Sequence, residues 1–149
     1  MIRFGVGTVG VAAAVVAWSA SPAAQTRTFT ARLSVVPLTV AMQDTVAGQG
    51  SATAVLAGNR LTIEGKFDGL RSPATAARLH LAPRAVRGEP IAELTVTKAT
   101  SGTLTGSVDL TDRQRDALEQ LSLYIQINSE KAPEGGNLWG WLFPQEVKR

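Results

Sequence analysis

The sequence predicts an all-β fold, an antiparallel sandwich carrying one short helix, and three observations predict it. Some seven short runs of alternating apolar and polar residues recur at roughly ten-residue spacing. Gly and Pro, 14 and 7 of the 149 residues, fall mainly between those runs. Only one stretch has both a helix start signal and helical spacing.

Residues 1–24 precede this pattern and read as a secretory signal. Arg3 supplies a positive charge, residues 4–18 form an uncharged run of mainly Gly, Val and Ala, and residues 19–24 are small. Cleavage after Ala23 or Ala24 fits, and after Ala23 it places Ser21 and Ala23 at the recognition positions. The apolar run falls short of the ~20 residues of a spanning helix, so no stable membrane span is expected after cleavage. The expected location is secreted or periplasmic, and the short Ala-rich signal looks bacterial. Residues 25–149 then form one domain, long enough for a core that buries about two-thirds of the unfolded surface. With no Cys, that core must hold without disulfides.

Removing Arg3 leaves 14 basic against 12 acidic residues, dispersed without any long run of one sign. This argues against a nucleic-acid-binding or membrane-surface tail.

The elements follow in order. In the first strand, 27–36, Phe29, Ala31, Leu33 and Val35 share one face. Residues 38–49 hold Asp and Gly without a clear period and read as a loop or edge segment. The runs 50–57 and 60–67, joined by Gly58-Asn59, form a hairpin with Leu61, Ile63 and Phe67 inward. After a punctuated loop, 74–81 turns Ala77, Leu79 and Leu81 inward and Arg78 and His80 outward. Residues 83–90 are a loop. Strand 91–97 then places Ala92, Leu94 and Val96 inside, and strand 103–110 does so with Leu104, Val108 and Leu110. The helix occupies 112–120, announced by Thr111 and Gln114 in capping-box spacing and by Asp112 in the first turn. Ala117, Leu118 and Leu121 can face the sheet.

The final hairpin, 121–128 and 137–143, contains the only Tyr and two of the three Trp. Leu121, Leu123, Ile125 and Ile127 point one way, and Tyr124, Gln126 and Asn128 the other; Leu138, Gly140 and Leu142 oppose Trp139, Trp141 and Phe143. The aliphatic face belongs to the core. The aromatic face has two readings. Exposed, the rings with Gln126, Asn128 and Arg78 alongside would hold a sugar, a peptide or another subunit. Covered by a helix, by 38–49 or by the chain end, they would form a second small core.

Catalytic arrangements are scarce. One His and no Cys cannot supply three or four soft ligands, and His80 with Asp68 or Glu89 would make at most a hydrated site, so no metal or cofactor is expected. No Ser lies in a G-x-S-x-G elbow. Asp109 and Asp112 flank the helix start, where capping accounts for them, Glu130 and Glu134 lie in a solvated turn, and Gly135-Gly136 is a turn rather than a phosphate cradle.

The succession F-T-A-R-L at 29–33, A-G-Q-G-S-A-T-A at 47–54, D-G-L-R-S-P-A-T-A-A-R-L-H at 68–80, S-G-T-L-T-G-S-V-D-L-T at 101–111, L-Y-I-Q-I-N-S at 123–129 and G-G-N-L-W-G-W-L at 135–142 resembles the CHRD domain. That domain is named after chordin and also occurs in microbial exported proteins. The resemblance implies an immunoglobulin-like or superoxide-dismutase-like β-sandwich outside the cytoplasm, without a general enzymatic activity. The chain is divergent. Where the family commonly reads A-H-I-H, N-V-H-T and G-E-I-R-G, this sequence has Ala77-Arg78-Leu79-His80, Gln126-Ile127-Asn128-Ser129 and Gly136-Asn137-Leu138-Trp139-Gly140. One family histidine remains, His80, and the family's Glu and Arg fall on Asn137 and Trp139.

The expectation is therefore an exported, non-catalytic binding module whose ligand or partner site is Arg78, His80, Tyr124, Gln126, Asn128, Trp139 and Trp141. Its partner would be a protein or carbohydrate. The alternatives are a structural or assembly subunit with that face as a homo-oligomer interface and, fitting the composition least, a metal-dependent redox enzyme.

Overall fold

A computed structural model describes Gln25–Glu146, so residues 1–24, read above as a secretory signal, lie outside the described residues. Nine strands and one α-helix run in the order β1 (Thr26–Val35), a 3-10 turn (Val40–Met42), β2 (Gln49–Ala57), β3 (Arg60–Asp68), β4 (Ala74–Leu81), β5 (Glu89–Val96), β6 (Gly102–Asp109), α1 (Asp112–Glu119), β7 (Leu123–Ser129), β8 (Leu138–Trp141) and β9 (Phe143–Pro144). Every pairing is antiparallel.

Two four-stranded layers, β1-β2-β3-β6 and β5-β4-β7-β8, face each other and join at both corners. At one corner Thr95 and Val96 pair with Thr105 and Leu104. At the other Ser34 and Val35 pair with Trp139 and Leu138. The sandwich is thus an eight-stranded closed barrel flattened into two layers, a closure that removes exposed sheet edges. Close approach at the second corner requires Gly140, where a Cβ would lie 2.4 Å from the Arg32 carbonyl oxygen.

Alternation places the inward residues as the sequence predicts. Phe29, Leu33, Leu61, Ile63, Leu79, Leu104, Leu123, Ile125, Ile127 and Leu138 are buried in one continuous core. Gly58 takes φ +62° at the first position of the β2–β3 turn while Asn59 does not take a positive φ, the pattern of a II′ hairpin. In α1 the capping box is complete: the Gln114 amide donates to the Thr111 hydroxyl, and the Thr111 amide donates to the Gln114 side chain. Leu118 and Ala117 seal the barrel from that side. Asp109 pairs with Arg60 and Asp112 with Arg115.

Three boundaries differ from the sequence reading. Leu121 adopts φ +59° between helix and strand, so it precedes β7 instead of opening its inward face. The last run breaks at Leu142, whose amide still donates to Leu123, after which Phe143 and Pro144 pair with β1. Val36, directly after β1, is buried on the opposite side of the sheet from Leu33.

Candidate functional site

β7 is the only strand of more than four residues buried at every position among the described residues. Its inward side chains explain half of that burial. Its outward side chains, Tyr124, Gln126 and Asn128, must be covered by something else. Register fixes their neighbours: His80, Tyr124 and Trp141 lie in one row across β4, β7 and β8, and Arg78, Gln126 and Trp139 in the next.

The rings in these rows interlock. His80 stacks on Tyr124 at 4.9 Å with planes 18° apart, and Tyr124 meets Trp141 at 4.5 Å. Trp139 stands edge-on to Trp141 at 4.7 Å. Each such contact contributes about 0.5–1.5 kcal/mol beyond area burial.

Three segments close over this layer. Residues 36–46 contribute Val36, Val46 and the half-buried Met42. Residues 82–88 supply Ala82, whose carbonyl accepts from Trp141 Nε1 at 3.0 Å, and Gly88, whose amide donates to the Tyr124 hydroxyl at 3.0 Å. Arg87 of that loop donates to the Gly135 carbonyl and lies 5.4 Å above the Trp139 ring. Residues 130–137 complete the cover, as Asn128 Nδ2 donates to the Pro133 carbonyl at 2.8 Å and Gln126 Nε2 to Asn128 Oδ1 at 3.2 Å.

The expectation of an open binding face at Tyr124, Trp139 and Trp141 is therefore corrected. Trp139 and Trp141 are 9% and 8% exposed, and Tyr124 is fully buried. Of the two readings of the aromatic face, the second core is the one formed, with 36–46 among its covers. The physical reason is that strand periodicity assigns a side chain to a face without specifying what packs on that face. Gln126 and Asn128 are likewise buried, and they brace the 130–137 loop.

His80 is also buried rather than outward in solvent, at 7% exposure. Its Nδ1 lies 2.9 Å from the Gly88 carbonyl, which can only accept, so Nδ1 carries the proton and Nε2 is the bare nitrogen. Nε2 has no hydrogen-bond partner among the described residues. Burial lowers the His80 pKa, the Gly88 carbonyl opposes this, and the Arg78 charge adds to the lowering. Burial thus favours the neutral ring. Arg78 stands apart from the polar cluster, turning to Glu93 on β5 at 2.5 Å.

Asn137 is a site residue that alternation does not single out. It is fully buried, donates from Nδ2 to the Ala47 carbonyl at 2.7 Å and accepts at Oδ1 from Ser129. Its own amide and carbonyl bond Ile127 and Val36. One side chain thus ties the 36–47 segment to β7 and β8. The sequence signal is its departure from the family's Glu, which reads as a surface change but is an internal tether. Arg87 and Gly88 carry no signal beyond lying in a loop.

Among the described residues, no three His, Cys, Asp or Glu side chains converge as metal ligands, and no helix is long and apolar enough to cross a membrane.

These features define a mostly β, closed antiparallel barrel with an aromatic cluster sealed beneath loops on one layer. The CHRD domain model matches residues 29–138, well over half of the chain, and the chain belongs to the CHRD family. No curated protein and no solved structure matches it.

Proposed function

We propose that this CHRD-family protein is an exported, non-catalytic binding module that engages a protein partner through the loops covering the aromatic cluster. One observation carries the reading. Of the five large apolar residues exposed among the described residues, Leu38, Val40, Val86 and Phe143 lie on or beside those covers, and only Val55 lies elsewhere. Val40 is 84% exposed, and Phe143 sits 5.9 Å from the Arg84 guanidinium. Apolar side chains mixed with Arg and rimmed by polar groups are the composition of a protein-binding surface. A sugar-stacking role for this face loses support, because stacking needs accessible ring faces and Trp139 lies beneath Arg87.

The test places a photo-crosslinking residue at Val40, Val86 or, as a control on the other layer, Thr62, in the exporting cell. Adducts at Val40 and Val86 with none at Thr62 are expected. No adduct, or equal adducts at all three, overturns the proposal, and an adduct with the mass of two copies moves it to the assembly reading. The N-terminal sequence of exported protein tests cleavage after Ala23 or Ala24. The sandwich is proposed to be of the immunoglobulin-like or superoxide-dismutase-like type, which an experimental structure superposed on both would test.

A further inference from the structure

On the other layer, register aligns Arg32, Ser51 and Lys66 across β1, β2 and β3. Adjacent strands lie about 4.8 Å apart, so the two cationic residues leave the backbone ~10 Å apart, within reach of one shared ligand above Ser51. A cleft of about 360 Å³ opens at this row, lined by Arg32, Gln49, Ser51, Lys66, Phe67 and Asp68. That volume lies within the range of small-molecule sites.

The charges in the cleft are not spent on one another. Arg27, Arg60, Arg78 and Arg115 each have a carboxylate partner. Among the described residues neither Arg32 nor Lys66 has a carboxylate oxygen within 4.0 Å, although Asp68 lines the same cleft. Two unpaired cations, a hydroxyl, a carboxamide and a carboxylate therefore face one hollow.

We propose that this cleft binds an acidic sugar of the uronate type. Its carboxylate would accept from Arg32 and Lys66, its hydroxyls would donate to Asp68 and Gln49, and Ser51 would serve either role. Competing classes match the set less well. A bare inorganic anion would meet the Asp68 charge, a cation would meet two positive groups, and a neutral sugar would leave both cations unmatched. A second hollow adjoins the first and shares Ser51 and Lys66, adding Thr53, Glu64 and Thr103, which leaves room for a second sugar residue. This site shares no residue with the loop-borne patch and does not depend on it.

The test is a titration of the purified protein with sodium D-galacturonate, followed by amide NMR shifts, alongside galactose, sodium acetate and sodium sulfate at matched ionic strength. Saturable shifts confined to the Arg32–Ser51–Lys66 row are expected, at least about tenfold weaker for galactose and for acetate, a difference of ~1.4 kcal/mol. The double variant R32Q/K66Q should weaken galacturonate binding by a similar factor, its dispersed spectrum showing that the fold is kept. D68N should weaken galacturonate but not acetate. Absence of saturable shifts, equal shifts from acetate or sulfate, or binding unchanged in R32Q/K66Q would each overturn the proposal.

Discussion

His80 and Tyr124, cross-strand neighbours on β4 and β7, stack with ring centroids 4.9 Å apart and jointly hold Gly88, one through its carbonyl and the other through its amide. A single residue of the β4–β5 loop is thereby clamped onto the aromatic cluster by both of its backbone polar groups. The clamp makes the loop part of the fold instead of a mobile rim, and it leaves Nε2 buried without a partner.

Stability should consequently depend on pH on the acid side. The folded pKa of His80 lies below the ordinary imidazole value of 6.5, mainly because of burial. The unfolded chain therefore binds more protons as pH falls through about 6.5, so the stabilisation is fully present above that pH and is lost progressively toward the lower folded pKa. The facing charges act in both directions, Arg78 lowering the pKa and Glu89 and Glu93 raising it. Urea denaturation from pH 8 to 5 should show this loss, and His80→Phe, which keeps a ring against Tyr124, should flatten that part of the profile. An unchanged profile in the variant would place the titration elsewhere.

Truncating the second core should be expensive. Trp141→Ala is expected to destabilise by about 3–5 kcal/mol. Trp141→Phe, which loses the bond to the Ala82 carbonyl and part of the ring's packing, should cost about 1–3 kcal/mol. Tryptophan emission of the wild type should be blue-shifted and resist acrylamide. Red-shifted, readily quenched emission from Trp139 and Trp141 would contradict the burial described.

Asn137→Ala leaves the Ala47 carbonyl and the Ser129 hydroxyl without their partner. A loss of about 1–3 kcal/mol is expected. Hydrogen exchange should show faster opening at 36–47 than at β3, because the tether joins that segment to β7 and β8. Uniform acceleration across the barrel would mean that Asn137 supports the whole core instead.

Ala85 adopts φ +62°, a left-handed conformation in which its Cβ is strained. Ala85→Gly should therefore stabilise the protein, by up to about 1 kcal/mol after the added unfolded-state entropy is subtracted. A higher midpoint in thermal denaturation would register it, and a lower one would show that the Ala85 side chain makes a compensating contact.

Local patterns in the chain already carry several particulars of the fold. Alternation places Leu61, Ile63, Leu79 and Ile125 in the core because a strand's period of two needs no knowledge of its partners. The Thr111–Gln114 capping box marks the start of α1 because both hydrogen bonds are local. The same reasoning groups His80, Tyr124, Trp139 and Trp141 on one side of their layer. It stops at whether that side is wet or dry.

What covers a sheet face is a long-range matter, and there the tertiary structure decided. The cover over Trp139 and Trp141 comes from three loops, one of them held by Asn137 through a bond spanning 90 residues. Closure of the two layers into a barrel rests on short pairings at two corners. The alignment of Arg32 with Lys66 likewise depends on three strands in register. By itself the sequence determined the strands, the helix, the inward residues and the likeness to the CHRD family, because local backbone geometry and residue order carry those. Exposure, closure and the meeting of distant side chains are set by contacts between segments far apart in the chain, and no periodicity within a single segment encodes them.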